Sequence, residues 1–521
     1  MKVIEKIKLH NFKRFKEFET NFDKKINILI GDNETGKSSV LLALDLVLSG
    51  SRSKIETISL EGLLNANVVD AFLKGEKKIE SLPTMYVEVY LNEQGNPDLN
   101  GKNNSDVRAC DGLKLSCEPI DEFSKDIKDI LEQEQANFPF EFYSIKFNTF
   151  SGDPYSGYRK FLRHLLIDSS QISNEYATRE YIKTIYRANV NDSEKNKHQN
   201  EYRRYKAEFK NKVLVDLNNK IEKYDFLVRT SSKSNLETDL TITEDEIPIE
   251  NKGKGRQCFI KTEFALQKNN AEQKLDVLLI EEPENHLSHV NMKKLIQRIS
   301  DSTEKQIFIA THNNLISSRL DLRKAIMLNS TSCKPTLLKD IPEETAKFFM
   351  KAPDNNILEL ILSQKVILVE GDAEFILIEA FYKNLVNERL EESNIHVISV
   401  GGTSFKRYLD LAKLLNIKTA VIRDNDGKVQ EICIDNYQDY VSKDIKIFYE
   451  NDNDKRTFEI FLYDKNKGIC DELFLKDRRT LTVLDYMLNN KADVAFELLD
   501  KKAGELVAPD YVRNAIEWIR K

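Results

Sequence analysis

The segment Gly31-Asp-Asn-Glu-Thr-Gly-Lys-Ser38 constrains the fold of this chain more than any other. The apolar run Ile26-Asn-Ile-Leu-Ile30 precedes it and reads as a buried strand; Ser39–Leu48, also apolar, reads as a helix. Strand, glycine loop, helix is the setting a phosphate-binding loop needs. Gly31 and Gly36 let the backbone curl so that its N–H groups face β- and γ-phosphates. The helix N-terminus adds a partial positive charge, Lys37 a full one, and the Ser38 hydroxyl can ligate Mg²⁺. The expected ligand is a nucleoside triphosphate, ATP, cradled by Gly31, Asn33, Gly36, Lys37, Ser38 and Ser39.

A chain of 521 residues has room for roughly two to four domains, each with its own core. Its 40% hydrophobic and 31% charged content is that of a soluble globular protein, and no apolar run reaches the roughly 18 residues of a membrane span. Met1-Lys-Val-Ile-Glu-Lys-Ile-Lys alternates charged and aliphatic residues and reads as a first strand, not a signal peptide. Cys110, Cys117, Cys258, Cys333, Cys433 and Cys470 form no Cys-x-x-Cys pair, so neither a zinc site nor a disulfide framework is expected, and the cytoplasm is the expected compartment. The net charge of −7 argues against a globally basic nucleic-acid coat protein, though local basic grooves can still bind phosphates.

Alternation and apolar runs predict strands over 3–9, 26–30, 84–92, 113–118 and 140–148, with a polar hairpin loop or disordered excursion at 93–112. Tyr158, Phe161, Leu162, Leu165 and Leu166 share the spacing of one helix face. The charged run 190–222 reads as a helical, solvated surface, or as a DNA-facing or dimerising arm; 230–250 reads as a loop. Buried strands return at 276–280 and 306–310. A linker carrying Pro335, Pro342 and Pro353 follows near 335–357. Beyond it, strands at 365–369, 396–400 and 418–423 alternate with helices at 373–387 and 405–415, the signature of a mostly parallel sheet. Helices close the chain, one carrying Val512, Ala515, Ile516 and Ile519 on a face, and no internal repeat is visible.

A second nucleotide motif is Leu278-Leu-Ile-Glu-Glu-Pro-Glu-Asn-His286. Its adjacent carboxylates, at the end of a strand, should point to opposite sides: Glu281 toward the metal and Glu282 as base for the hydrolytic water. His312, after the next strand, can hydrogen-bond the γ-phosphate. These motifs, with Asn11-Phe-Lys-Arg-Phe15, resemble the ABC-type ATPase heads of the SMC and RecF group. In such heads a signature loop of one protomer completes the ATP site of another. Gly253-Lys-Gly255-Arg-Gln257 is the candidate, with Lys252 where a serine is common. The Gly253 and Gly255 amides at a helix N-terminus would meet the γ-phosphate.

Val366-Ile-Leu-Val-Glu370-Gly-Asp-Ala-Glu374 repeats strand, turn, helix, with carboxylates where the phosphate loop has lysine. Asp424 and Asp426 follow a later strand at i, i+2, a spacing expected to send both side chains to one side, where they can share a divalent ion with Glu370. Glu374 is a further candidate from the first helical turn. In this order and context the two motifs resemble a Toprim domain. An ABC-type head followed by a Toprim domain resembles the OLD (overcoming lysogenization defect) family of nucleases, which includes the Gabija nuclease subunit.

That resemblance implies an α/β chain with an ATPase domain over 1–345, a helical insertion about 155–235 that is a candidate dimerising element, and a Toprim nuclease domain with C-terminal helices over 357–521. It also implies Glu459 as a metal ligand, from Arg456-Thr-Phe-Glu459, and Lys502, with Lys501 nearly as good a match, as the catalytic lysine. The expected activity is ATP-controlled DNA cleavage with Mg²⁺ or Mn²⁺ at both sites, in prokaryotic antiviral defence. The expected partners are DNA, a second copy through the ATPase heads, and a helicase-like or retron (reverse transcriptase) system. The alternative is an ATP-dependent DNA sensor or repair ATPase whose partner carries the effector activity. A long heptad coiled coil, as an SMC tether needs, is absent from 150–250.

Overall fold

The structure, a computed structural model, describes residues 2–93, 95–133, 136–157, 161–172, 174–221, 223–229, 231, 235–267, 275–302, 304–329, 334–352, 356–402, 404–475 and 481–521. Tyr158, Cys333 and Pro353 lie outside the described residues. The chain divides into two compact units: Met1–His312 with Lys324–Leu337, and Asn313–Arg323 with Leu338–Lys521. The division falls inside the expected first domain, because the 313–323 segment and the residues after Leu337 pack with the later part of the chain.

The first unit holds two six-stranded sheets. One is antiparallel, in the order Phe15–Asn21, Ile4–Phe12, Met85–Leu91, Cys110–Pro119, with Asn100–Gly101 and Tyr143–Thr149 both paired to the last. The other runs Thr336–Leu337, Ala325–Met327, Ile26–Ile30, Gln306–Ala310, Val277–Glu281, His164–Asp168, parallel except for the first pair. The helix Lys37–Ser49 touches strands of both sheets. It is therefore apolar over most of its surface, burying Val40, Leu41, Leu44, Leu46, Val47 and Leu48, with Asp45 buried among them. Gly50 ends it in a left-handed conformation, its N–H donating to the Leu46 carbonyl.

One local expectation changes. The stretch read as a helix around 158–166 contains a strand, His164–Asp168, which extends the parallel sheet beside Val277–Glu281. Periodicity cannot distinguish a short apolar run in a buried strand from a helix face; the hydrogen bonds of the neighbouring strand decide it here. Of the two expectations for 93–112 the hairpin loop holds, since Met85–Leu91 and Cys110–Pro119 pair antiparallel; within it Asn104 donates to the Arg108 carbonyl, and Asp106 pairs with Lys6 at 2.9 Å and with Lys8. The charged run forms the helix Asp192–Lys212, with Asn191 and Glu194 completing a capping box and no side chain buried.

The second unit is built on a four-stranded parallel sheet, Ile395–Ser399, Lys365–Val369, Lys418–Ile422, Ile445–Phe448. Val366, Ile367, Leu368 and Val369 are all buried, the continuous apolar run of a strand covered on both faces. The helix Asp510–Arg520 packs on this sheet through Val512, Ala515, Ile516 and Ile519.

Candidate nucleotide and metal sites

In the first unit the phosphate loop joins Ile26–Ile30 to the helix Lys37–Ser49. Gly36 stands at φ +99°, and a Cβ there would lie 2.4 Å from the Phe15 ring, so only glycine fits. Lys37 is folded onto its own loop, donating to the Gly31 and Asp32 carbonyls at 2.8 Å each. Burial pulls its pKa down, while Glu282, Asp32, Glu284 and Glu281 oppose the shift. Arg14, to which the sequence reading gave no role of its own, reaches the same loop and donates to the Glu34 carbonyl.

Glu281 ends its strand beside Ser38, whose hydroxyl bonds to it. Burial holds the Glu281 carboxyl above its usual range, and Asp168 and Glu282 push the same way. Asp168 stands directly opposite Glu281 in the parallel register, an acidic neighbour visible only once the 164–168 strand is recognised. Strand alternation stops at Glu281, because Glu282 takes a left-handed backbone (φ +44°). Both carboxylates act on Lys37, raising its pKa against the effect of burial.

Glu284 is the residue the sequence reading quoted without assigning. Its side chain is 6% exposed; Oε1 accepts from the Thr311 hydroxyl at 2.6 Å and from the His312 N–H at 3.1 Å. Its Oε2 is buried with no hydrogen-bond partner. The His312 Nδ1 lies 3.5 Å from both Glu282 and Glu284. Glu284 thus ties the two acidic positions to the sensor-like histidine. Gly253 precedes the helix Lys254–Leu266 and is exposed, with open space about its Cα. Gly255 is packed down, so that a Cβ would sit 2.0 Å from the His286 carbonyl oxygen. Lys252, at the position that departs from the usual signature, pairs with Glu244 at 2.7 Å. Asn33 and Ser39 lie on the same loop and helix.

In the second unit the carboxylates separate into two groups. Asp424 accepts a backbone hydrogen bond from Phe458 and lies in the field of Glu374 and Glu459. Burial first, then these neighbours, push its pKa up to about 8. Glu374 accepts from its own N–H and that of Gly371, and burial and Glu459 raise it as well. Lys491 stands 3.0 Å from Glu459, its pKa raised by Glu459, Asp424 and Glu374 against the opposing effect of burial. Glu374, Glu459 and Lys491 all lie in the first turns of helices, Asp372–Val386, Phe458–Lys465 and Lys491–Lys502, whose positive ends favour anions.

Glu370 and Asp426 instead share the guanidinium of Arg423, which pairs with Glu370 and lies 3.2 Å from Asp426. The expectation that Asp424 and Asp426 leave on one side does not hold. The strand ends at Ile422, and Asp426 sits in a left-handed turn at φ +48°, so the two-residue period no longer applies. Lys502 is held by Glu472 at 3.1 Å and Glu505 at 3.3 Å, and Lys501 by Glu497 at 2.6 Å. Lys502 ends the helix that Lys491 begins, roughly 16 Å away at the rise of an α-helix. Among the described residues no three His, Cys, Asp or Glu side chains close round one point. The donor set is nonetheless one of carboxylate oxygens, which suits a hard divalent cation.

Comparison with known proteins finds likenesses in both parts of the chain. Residues 361–426 match the family model described as overcoming lysogenization defect protein-like, Toprim domain. Residues 1–84 match an AAA ATPase domain and residues 264–318 an AAA domain. The chain is 26% identical over 191 residues to the Old nuclease of Escherichia phage P2, covering 34% of this chain and 32% of that protein. It is 29% identical over 98 residues to the DNA replication and repair protein RecF of Alkaliphilus oremlandii (strain OhILAs), covering 19% of this chain and 26% of that one. The C-terminal region of the Burkholderia pseudomallei OLD protein, a solved structure, is 22% identical at a TM-score of 0.24, covering 30% of this chain and 98% of that one. The chain spans about a third or less of the length of these curated relatives.

The fold and the two sites define a phosphate-loop ATPase carrying a Toprim domain, a combination that uses a nucleotide and a divalent metal. The chain is thus similar to OLD-type proteins in its Toprim segment, residues 361–426, and to AAA-type ATPases in residues 1–84 and 264–318. Among the described residues no helix is long and apolar enough to cross a membrane.

Proposed function

We propose that this chain is an ATP-governed, divalent-metal-dependent DNA endonuclease, nicking or cutting both strands, that serves prokaryotic anti-phage defence alone or with a helicase-like or retron partner. The observation that carries the reading is the gathering of Asp424, Glu374 and Glu459 around Lys491, at the ends of parallel strands and helix N-termini. The likeness to a protein named Old nuclease supports cleavage, and the likeness to RecF supports DNA as the polymer.

In the first unit Gly31, Gly36, Lys37 and Ser38 would bind the triphosphate, Ser38 and Glu281 would hold its Mg²⁺, and Glu282 would orient and deprotonate the attacking water. His312, steadied by Glu284, meets the γ-phosphate. Gly253 and Gly255 of one copy approach the nucleotide of a second copy, so a homodimer through the ATPase heads is the working unit. In the second unit Glu370, Asp424, Asp426 and Glu459 would hold Mg²⁺ or Mn²⁺, with Glu374 beside them; a bound ion there supplies Lewis acidity and an acidified water. Lys491 replaces Lys502 in this reading and offsets charge on the scissile phosphate. The surrounding helix N-termini orient that phosphate.

Supercoiled plasmid incubated with the full chain and Mn²⁺, across nucleotide conditions, tests the proposal. Relaxed or linear product from wild type and none from Asp424→Ala is expected. DNA binding without cleavage under every condition would instead favour a sensor whose partner carries the effector activity.

A further inference from the structure

Arg423 lies between the last strand residue, Ile422, and Asp424, and its side chain is only 4% exposed. A charged side chain so deeply placed is costly unless it is paired on its charged end. Here the pairing is double: one guanidinium nitrogen meets Glu370 and another lies 3.2 Å from Asp426. The fork also packs near the Phe405 ring, 5.8 Å from its centroid. Its backbone N–H is fixed to the Phe448 carbonyl at 3.0 Å. Arg423 is thus anchored at its root, and it spends its charge on two of the carboxylates assigned above to the divalent ion.

We propose that Arg423 is a built-in counter-ion of the metal site, competing with the divalent cation for Glu370 and Asp426 and so setting the metal concentration at which the site loads. The inference rests on the metal-site reading under "Proposed function". Arg423 occupies Glu370 Oε2 and Asp426 Oδ2, so a hard divalent ion that coordinates through those oxygens must displace the guanidinium. Loading therefore includes breaking both arginine contacts, and that cost subtracts from the affinity. Asp424, Glu374 and Glu459 are outside the grip of Arg423 and remain for first capture of the ion. Lysine in place of Arg423 keeps the charge but lacks the planar fork that reaches two carboxylates together.

The test is Mn²⁺ binding to the nucleotide-free full chain, followed by electron paramagnetic resonance of the free ion, in wild type, Arg423→Gln, Arg423→Lys, Glu370→Gln and Asp424→Asn. Arg423→Gln should bind Mn²⁺ at least about tenfold more tightly than wild type, with Arg423→Lys between the two. Circular dichroism of each variant, with and without Mn²⁺, identifies any loss of fold; if Arg423→Gln unfolds, Arg423→Lys alone decides. Equal or weaker Mn²⁺ binding by the folded arginine variants overturns the counter-ion role. Unchanged binding by both Glu370→Gln and Asp424→Asn would instead overturn the metal-site reading, and with it the basis of the inference.

Discussion

Asp424 sits where burial and neighbouring carboxylates act in the same direction. A carboxyl buried among other carboxyls keeps its proton, and here the pKa rises to about 8. In an unfolded chain the same group titrates near about 3.9. Protonation therefore stabilises the folded form, fully below about pH 4, and this contribution fades as pH rises toward about 8. The second unit of wild type should lose thermal stability across that interval more steeply than Asp424→Asn, as read by calorimetry in chelator. Divalent ion should restore the loss, because the cation replaces the proton, and its apparent affinity should climb with pH over the same window.

Asp45 presents the opposite case. It is buried in the Lys37–Ser49 helix, paired with Lys54 at 2.7 Å and His164 at 2.9 Å, and these partners hold its carboxyl far below the usual range against the cost of burial. Its contribution is present above about pH 4 and is lost as pH falls through the depressed pKa. Asp45→Ala should destabilise the first unit by about 3 kcal/mol near neutrality, and by progressively less below about pH 4, in denaturant titrations.

At the scale of elements, the helix Lys491–Lys502 separates two lysines that the sequence leaves alike. Positions 491, 494, 495, 498 and 502 share one face, with Val494, Ala495 and Leu498 buried, so periodicity puts both Lys491 and Lys502 on the packed side. Only the tertiary placement of the helix N-terminus selects Lys491. Lys491→Ala should lower DNA cleavage by roughly 10²-fold or more, measured in single turnover, whereas Lys502→Ala should stay within about threefold. The helix Lys254–Leu266 offers a second element-level prediction. Gly255→Ala adds a Cβ 2.0 Å from the His286 carbonyl, forcing this helix off the loop that carries Glu282 and Glu284. ATP hydrolysis should fall at least about tenfold, while a Gly253→Ala change, with open space at that Cα, should leave the packing of that helix intact by circular dichroism.

Across the whole molecule, what was legible in the sequence was what local patterns encode. The run before Gly31, the runs ending at Glu281 and Ala310, and the alternating strands and helices after 365 all carry their own period, and the structure has strands there. Strand His164–Asp168 was hidden because its apolar residues also fit a helix face, and Ile445–Phe448 because its pattern is short and half exposed. The acidic motifs named the candidate carboxylates, but not their grouping. Arg423 takes Glu370 and Asp426 because a left-handed turn redirects Asp426, a conformation that the Asp-Asn-Asp-Gly spacing alone does not reveal. Glu284 and Lys491 acquire roles only through contacts made far along the chain, to Thr311 and His312 in one case and Glu459 in the other.

The phosphate loop lies in one unit and the acidic cluster in the other, and under the proposed function the nucleotide site governs cleavage at the acidic cluster. Plasmid cleavage by wild type, Lys37→Ala and Glu370→Ala, with and without ATP, tests this division of labour most directly when Mn²⁺ binding is measured on the same samples. Glu370→Ala should abolish cleavage under every nucleotide condition, and Lys37→Ala should erase the response of cleavage to ATP while Mn²⁺ binding in the second unit persists. Loss of that Mn²⁺ binding in Lys37→Ala, or undiminished cleavage by Glu370→Ala, would contradict it.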